Sequence, residues 1–551
     1  MLSSPRLPHR SGAPWSALPV LVFLVVLSAC GPEAQTDAVP AQTHDLGSVD
    51  FPTSCSDAVQ SDLERGVALL HHMTYVEARS IFEEAAEQEP QCAMAHWGLA
   101  MSHFQPLWGE EDVESGRPAA DRAVELQAPT ERERQYAAAV HAYYEAPAAS
   151  RIERVRSWEE AMEEFHRAFP EDQEAAAFYA LAHLSTAPAD PAVQERTSQV
   201  LDGILRESPE HPGAIHYAIH AHDVDARAED GVTYADAYGD IAPSNPHALH
   251  MPSHIYVRVA EWDEVIDWNR RAADAALELP DDEGISLHYS HALDYLMYGY
   301  LQRGQDDMAR EVLQEVREDE HHQPAFGTAY ALASIPARWH VERRDWAGAR
   351  ELEPRVPARF PWDDFPESEA ISHYARGLGA ARTGDPDQAR ASIDRLEELE
   401  DAARQAWGDE YWARQIQVKQ DAIAAWTTLA EGRTGEAVEV MTEAAELHEE
   451  MEKSGVTPGD LQPAQELLGD LLMEVDRPAE ARAAFERSLE TWPGRYHAVL
   501  GAARAAHALG QEDDAQAYYV QLLELTANTQ SDREGLSEAL ERVPEGPGGG
   551  P

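Results

Sequence analysis

Histidine is the residue whose spacing in this sequence most clearly indicates chemistry. Six of the 25 histidines fall into three pairs, which are His216 and His220, His250 and His254, and His288 and His291. The first two pairs lie 34 residues apart, and a further step of 34 from His254 reaches His288. Residues three or four apart share one face of a helix, and histidines at that spacing are common zinc ligands. The pairs are therefore candidate ligands for zinc or copper, which imidazole suits.

The same histidines have a second interpretation. Duplication of one ancestral unit would repeat its histidines, and buried histidines can also hydrogen-bond between helices and fix their packing. In the metal interpretation, Asp223, Asp225 and Asp294 would complete the ligand shell or orient an imidazole. Pro252, inside the second segment, is expected to kink or restart its helix. The sequence leaves both interpretations open.

Helices must position these side chains, because helical periodicity runs through nearly the whole chain after residue 50. One set of offsets recurs as Gly66, Leu69, Ala78, Phe82, Ala85 and Pro90, and again as Gly469, Leu472, Ala481, Phe485, Ser488 and Pro493. This pattern resembles the tetratricopeptide repeat (TPR), a pair of helices A and B. Small residues let the paired helices approach, the aromatic ring fills the gap between units, and proline ends helix B.

The resemblance implies an all-α fold, a TPR-type α-solenoid in which helix-turn-helix units form a right-handed superhelix. The A helices of such a solenoid line its concave groove. The histidine pairs would then lie on three successive A helices. Side chains from neighbouring A helices could converge on one ion.

A more specific resemblance covers most of residues 50–305. It rests on the string Cys92-Ala93-Met94-Ala95-His96-Trp97-Gly98 and on the string His250-Met251-Pro252-Ser253-His254-Ile255. Both are similar to helices of a bacterial family of long TPR proteins. This resemblance implies the fold and assigns no reaction.

The first thirty residues have the features of an export signal. A basic start is followed by an apolar run over 17–27, which is too short for a permanent membrane span. The run ends in Leu27-Ser28-Ala29-Cys30, which resembles the lipobox of bacterial lipoproteins. The resemblance implies lipidation of Cys30 and a place in the cell envelope, facing the periplasm or at the outer membrane. An ordinary secretory signal with a chance cysteine is the alternative.

Cys55 and Cys92 each lie at the start of a predicted A helix, one repeat apart. Outside the cytoplasm they would be free to form a disulfide, and two buried thiols are the alternative.

The predicted order of segments follows from these features. It is a signal peptide over 1–29, a flexible tether over 30–50, a TPR-like solenoid over 51–452 with a histidine-rich groove over 211–295, regular TPR units over 453–530, and a disordered tail over 531–551.

Composition narrows the class of partner. The formal net charge of −57 excludes nucleic acid, because the phosphate backbone would be repelled. The sequence has no Gly-rich phosphate loop, Gly-x-Ser-x-Gly or His-Glu-x-x-His motif, and no catalytic residue is assigned. We expect a membrane-anchored extracytoplasmic scaffold that binds protein or peptide partners through its concave groove. The alternative is a transition-metal-binding protein or metalloenzyme that uses the histidine cluster.

Overall fold

Helices provide the regular secondary structure of the residues that the structure describes. The computed structural model describes residues 46–543, apart from 147–148, 280–283, 319–320, 409, 528, 530 and 532. Within these ranges, the extended pairings are two isolated bridges, Phe104–Glu111 and Ile285–His322. None of the helices in this part of the chain combines the length and apolarity needed to cross a bilayer. The predicted signal peptide, Cys30 and the end of the predicted tail lie outside the described residues.

The helices follow one another with short connections. The first group is α1 (Asp57–His71), α2 (Tyr75–Gln88), α3 (Ala93–Met101), α4 (Val113–Glu125), α5 (Glu131–Tyr144), α6 (Arg151–Ala168), α7 (Gln173–Thr186) and α8 (Pro191–Leu205). The second group is α9 (Pro212–His222), α10 (Ala228–Tyr238), α11 (Pro246–His250), α12 (Pro252–Val259), α13 (Trp262–Ala276), α14 (Leu287–Gln302), α15 (Asp306–Glu318), α16 (Phe326–Val341) and α17 (Trp346–Arg350). The third group is α18 (Pro366–Thr383), α19 (Pro386–Trp407), α20 (Tyr411–Ala430), α21 (Thr434–Glu449), α22 (Ala464–Glu474), α23 (Pro478–Thr491), α24 (Tyr496–Ala508), α25 (Glu512–Leu525) and α26 (Leu536–Arg542).

Contacts between these helices define a solenoid. Nearly every helix packs against the next one in the chain, and alternate helices such as α14, α16, α18 and α20 also pack against each other. The alternate helices form a continuous layer of A helices, and the helices between them form a layer of B helices. The protein is therefore an all-α solenoid of the TPR type, as the sequence predicted.

The repeated glycines and aromatics hold neighbouring units together. A Cβ atom placed on Gly66 or Gly98 would lie 2.6 Å or 2.1 Å from the ring of Phe82. Phe82 is fully buried between these two A-helix positions. Phe485 packs in the same way between Gly469 and Gly501. The recurring pattern thus marks positions where only hydrogen leaves room for the ring.

The first helix of the solenoid packs against helices from the middle of the chain. Helix α1 packs against α9 although more than a hundred residues separate them in the chain. His71 Nδ1 lies 2.9 Å from the Tyr217 hydroxyl, and His72 Nδ1 lies 2.7 Å from the Tyr238 hydroxyl. These contacts place the end of α1 over the A helices that carry the histidine pairs.

The predicted segment boundaries differ from the structure at both ends. Residues 46–50, assigned to the tether, are docked, because Ser48 N donates to Glu210 O at 3.0 Å and Asp50 N donates to Glu174 Oε1 at 3.3 Å. Residues 536–542, assigned to the disordered tail, form α26, which buries Leu536 and Ala539 against α24 and α25.

No domain boundary falls at residue 452. The described residues between 46 and 543 belong to one compact unit, and one apolar core contains residues from Ile215 to Ala505. A disulfide joins Cys55 to Cys92, the N-cap residue of α3.

Candidate metal centre

Three successive A helices carry the six predicted histidines. His216 and His220 lie on α9, His250 ends α11, His254 lies on α12, and His288 and His291 lie on α14. Helices α11 and α12 form one A helix that is interrupted at Met251. The interruption has the predicted cause, since Pro252 cannot donate the backbone hydrogen bond that would join the two parts.

Five of these six histidines are buried and His220 is partly buried, so the histidine-rich groove predicted over 211–295 is largely covered. His216 is 0% exposed, and His250 and His254 are each 2% exposed. Part of the cover comes from the loop between α3 and α4, where the ring of Trp108 lies 5.1 Å from that of His247. Another part comes from the loop after α21, where Lys453 Nζ lies 3.3 Å from Asp223 Oδ1. The cover depends on contacts between distant repeats, which no local pattern encodes.

A cavity of about 530 Å³ lies beside the histidines. Polar groups in its lining include His220, Asp223, His247, His254 and His291. Its apolar walls include Leu107, Trp108, Leu184 and Phe326. The exposed residues Pro188, Glu410 and Glu450 also line it and mark where it meets solvent. A space of this size suits a small molecule or bound solvent rather than a folded partner.

His250, His254 and His291, here called the α14 triad, bring one nitrogen each to within 4.8 Å of the other two. The Nε2 atoms of His250 and His254 lie 2.9 Å apart. The rings of His250 and His291 have centroids 4.4 Å apart. His254 and His291 also line the cavity.

Hydrogen bonds on the far side of the rings define which nitrogens carry protons. Asn269 Nδ2 donates to Val265 O at 2.7 Å, so Asn269 Oδ1 is the acceptor for His250 Nδ1–H at 2.7 Å. His254 Nδ1–H donates to Asp223 Oδ2 at 3.1 Å. The two Nε2 atoms are at hydrogen-bond distance from each other, and their lone pairs face each other when both rings are neutral with the proton on Nδ1. Histidines that bind metals are commonly oriented in this way through their second nitrogen.

Burial disfavours the charged form of each histidine in the α14 triad by lowering its pKa. Burial and the neighbouring His291 and His254 lower the pKa of His250 well below its ordinary value. Burial also lowers the pKa of His254, although the hydrogen bond to Asp223 opposes this effect. Neutral imidazole is the form that binds metal ions.

A second group, His216, His220 and His247, is here called the α9 triad. One nitrogen from each ring lies within 4.8 Å of the other two. His216 Nδ1–H donates to the backbone oxygen of His71 at 2.6 Å. Among the described residues, His216 Nε2, His220 Nε2 and both nitrogens of His247 are buried without a hydrogen-bond partner.

The sequence prediction missed His247 and included one residue that joins neither triad. The available signal was the spacing of His247 three residues before His250, which places both on one helical face. The 34-residue repeat gives no signal for His247, because it aligns this residue with Gly213. His288 packs against His247, with ring centroids 5.3 Å apart, and against Trp108.

Asp223 links the α14 triad to two buried cations. Its Oδ1 accepts from Arg258 Nε at 2.6 Å and lies 3.3 Å from Lys453 Nζ. Burial alone would raise the pKa of Asp223, but Lys453 and Arg258 lower it below its usual range. The carboxylate is thus charged and held rigidly against His254.

The other two predicted carboxylates are not near the triads' nitrogens. Asp225 pairs with Arg258 and is 40% exposed. Asp294 accepts from the Ser334 hydroxyl at 2.7 Å and lies 3.5 Å from Arg338 Nε. Of the three candidates, Asp223 alone orients a triad histidine through a hydrogen bond given by the described residues.

His71, Glu174 and His211 form a further buried group with three nitrogen or oxygen ligand atoms close together. Glu174 Oε2 already accepts from His71 Nε2 at 2.6 Å, and Glu174 Oε1 accepts from Asp50 N. Burial would raise the pKa of Glu174, but His211 and His71 lower it. Among the described residues, His211 Nε2 is buried without a hydrogen-bond partner and lies 3.4 Å from Glu174 Oε1. The bonds of Glu174 fix α1 against α7 and α9.

Comparisons with known proteins identify the class of repeat at the C-terminal end. Residues 459–537 match the family model described as tetratricopeptide repeat. No curated protein matches the chain. Among solved structures, one chain of the APC/C hetero-tetramer Cut9–Hcn1 aligns over 88% of this chain and 90% of its own, with 11% identity and a TM-score of 0.30. A superposition of that quality does not establish a shared fold.

Proposed function

We propose that this protein binds a transition-metal ion through His250, His254 and His291. The observation that carries the proposal is the 2.9 Å approach of two Nε2 atoms, in rings whose Nδ1 atoms contact Asn269 Oδ1 and Asp223 Oδ2. In the neutral rings with the proton on Nδ1, the two Nε2 lone pairs face and repel each other. A cation between the lone pairs converts this repulsion into attraction. Zn²⁺ and Cu²⁺ fit a set of imidazole ligands.

The cavity supplies what a functional metal centre needs beyond ligands. Three protein ligands leave a coordination position for water or another molecule. His254 and His291 both line the cavity, so that position is reached from it. These features support a metal centre that acts on a small molecule, which is the more specific form of the proposal.

Metal content of the full chain tests this function. The chain is purified without a polyhistidine tag, depleted with chelator, reloaded with Zn²⁺ or Cu²⁺, and measured by elemental analysis. We expect bound metal in the wild type and its reduction in His291→Leu, with no change in the control His141→Leu, because His141 is partly exposed and pairs with Asp121. Equal metal content in the His291 variant and the wild type would refute the assignment.

A protein-binding role is the second candidate, and the TPR match at residues 459–537 supports it, since such repeats generally bind segments of other proteins. A cavity of about 520 Å³ lies at these units and is lined by Arg344, Arg382 and Arg504 together with Asp470, Glu474 and Glu534. This mixed-charge groove, rather than the histidine region, is our proposed surface for a short partner segment.

Site-specific crosslinking tests the groove. A photoreactive residue at Arg504 should give discrete adducts with a partner protein, and Arg382→Glu should abolish them. The same group at Arg487, which is 61% exposed and absent from the cavity lining, is the matched control. Equal adducts from both positions would contradict a specific groove.

We further propose that the protein is lipid-anchored at Cys30 and faces an extracytoplasmic compartment. The lipobox-like Leu27-Ser28-Ala29-Cys30 and the joined pair Cys55–Cys92 support this location. Metabolic labelling with a fatty acid should mark the wild type and not Cys30→Ser. Label retained by the variant would rule out this anchor.

A further inference from the structure

The α9 triad contains buried ring nitrogens that no other group of the described residues satisfies. His216 Nε2, His220 Nε2 and both ring nitrogens of His247 have no hydrogen-bond partner among the described residues. The three rings of this triad converge, and one ligand atom from each lies within 4.8 Å of those of the other two.

Packing against α1 determines the orientation of His216. The backbone oxygen of His71 accepts from His216 Nδ1, so the lone pair of neutral His216 lies on Nε2. Gly213 permits this approach, because a Cβ atom at that position would lie 2.3 Å from His71 Nδ1. The third ring, His247, is held by Trp108 at a centroid distance of 5.1 Å.

We infer that the α9 triad binds a second divalent transition-metal ion, separate from the ion of the α14 triad. The two triads have no ligand in common, so the inference does not require the first site to be occupied. One ion coordinated by three imidazoles would satisfy three of the buried nitrogens at once. Zn²⁺ and Cu²⁺ again suit the ligand set.

Both sites face the same space. His220 and His247 of the α9 triad line the cavity, as do His254 and His291 of the α14 triad. The ring centroids of His220 and His254 are 5.8 Å apart. A molecule in the cavity would therefore reach both ions, which makes the centre a two-metal site in a solvent-connected chamber.

Metal stoichiometry of the full chain separates the two sites. Metal-depleted wild type titrated with Zn²⁺ should bind two equivalents, and His220→Leu and His291→Leu should each bind one. His220 is the least buried member of its triad, which favours folding of the variant. His247→Gln serves as a second variant, and circular dichroism checks that each protein is folded.

The outcomes distinguish this inference from the proposed function. One equivalent that His220→Leu removes and His291→Leu retains would support the α9 site and overturn the α14 site. One equivalent that only His291→Leu removes would overturn the present inference. One equivalent lost in either variant would indicate a single shared ion and would also overturn it. When loaded with Cu²⁺, His220→Leu and His291→Leu should give electron paramagnetic resonance spectra that differ from each other, because each variant retains a different site.

Discussion

His250 Nε2 and His254 Nε2 lie 2.9 Å apart across the break between α11 and α12. They belong to residues four apart in sequence, yet their rings are oriented from opposite sides, by Asn269 of α13 and by Asp223 at the end of α9. The pair is thus positioned by the A helix α9, by the interrupted A helix α11–α12 and by the B helix α13.

Asp223→Asn should destabilise the metal-free protein by about 3–5 kcal/mol, because it leaves Arg258 and Lys453 as buried cations without their shared carboxylate. Urea denaturation in the presence of chelator measures the effect without metal binding. Asp225→Asn is the matched control, and we expect a loss below about 1 kcal/mol because Asp225 is 40% exposed. Similar losses in the two variants would refute the role of Asp223.

Gly98→Ala should destabilise the protein by about 1–3 kcal/mol, because the new methyl group would overlap the ring of Phe82. Gly203→Ala, also inside a helix, should instead stabilise by roughly 0.5–1 kcal/mol, since its Cβ would meet no atom within 4 Å. Thermal and denaturant unfolding should give effects of opposite sign. A neutral Gly98→Ala would show that the units do not need this close approach.

His72 should make the fold less stable in acid. Burial lowers the pKa of His72 to about 4, from an ordinary value of 6.5. Between these values the unfolded chain binds a proton that the folded chain does not, so stability decreases as pH falls through this window. The total is roughly 3 kcal/mol by pH 4.

His72→Gln removes this titration while keeping an N–H donor for Leu46 O. The stability of the variant, measured by urea midpoints at several pH values, should fall less steeply from pH 6.5 to pH 4 than that of the wild type. Parallel curves would contradict the assignment to His72.

Cys92→Ser should lower stability by about 4 kcal/mol according to loop-closure entropy, because the disulfide to Cys55 spans 37 residues. Serine keeps an acceptor for Ala95 N, which Cys92 Sγ caps, so the variant isolates the crosslink. Reduced wild type should match the variant in denaturant midpoint. Equal midpoints for oxidised and reduced wild type would show that the disulfide adds no stability.

Local pattern was enough to predict much of this protein. Helical periodicity, with glycines and an aromatic ring at repeated offsets, predicted the paired helices around Phe82 and Phe485, because those contacts join residues of adjacent units. The 34-residue spacing also placed the histidine pairs on three successive A helices, and Pro252 predicted the break between α11 and α12.

Contacts between distant repeats determine the remaining features of the histidine site. The sequence could not show that α1 and Lys453 cover the histidines, that His247 joins one triad, or that His288 joins neither. Asp223 and Lys453 lie 230 positions apart in the chain, and their contact depends on small rotations that accumulate over many repeats. No single repeat encodes this accumulated rotation. Only the folded chain therefore determines which imidazoles meet and which nitrogens are left for an ion.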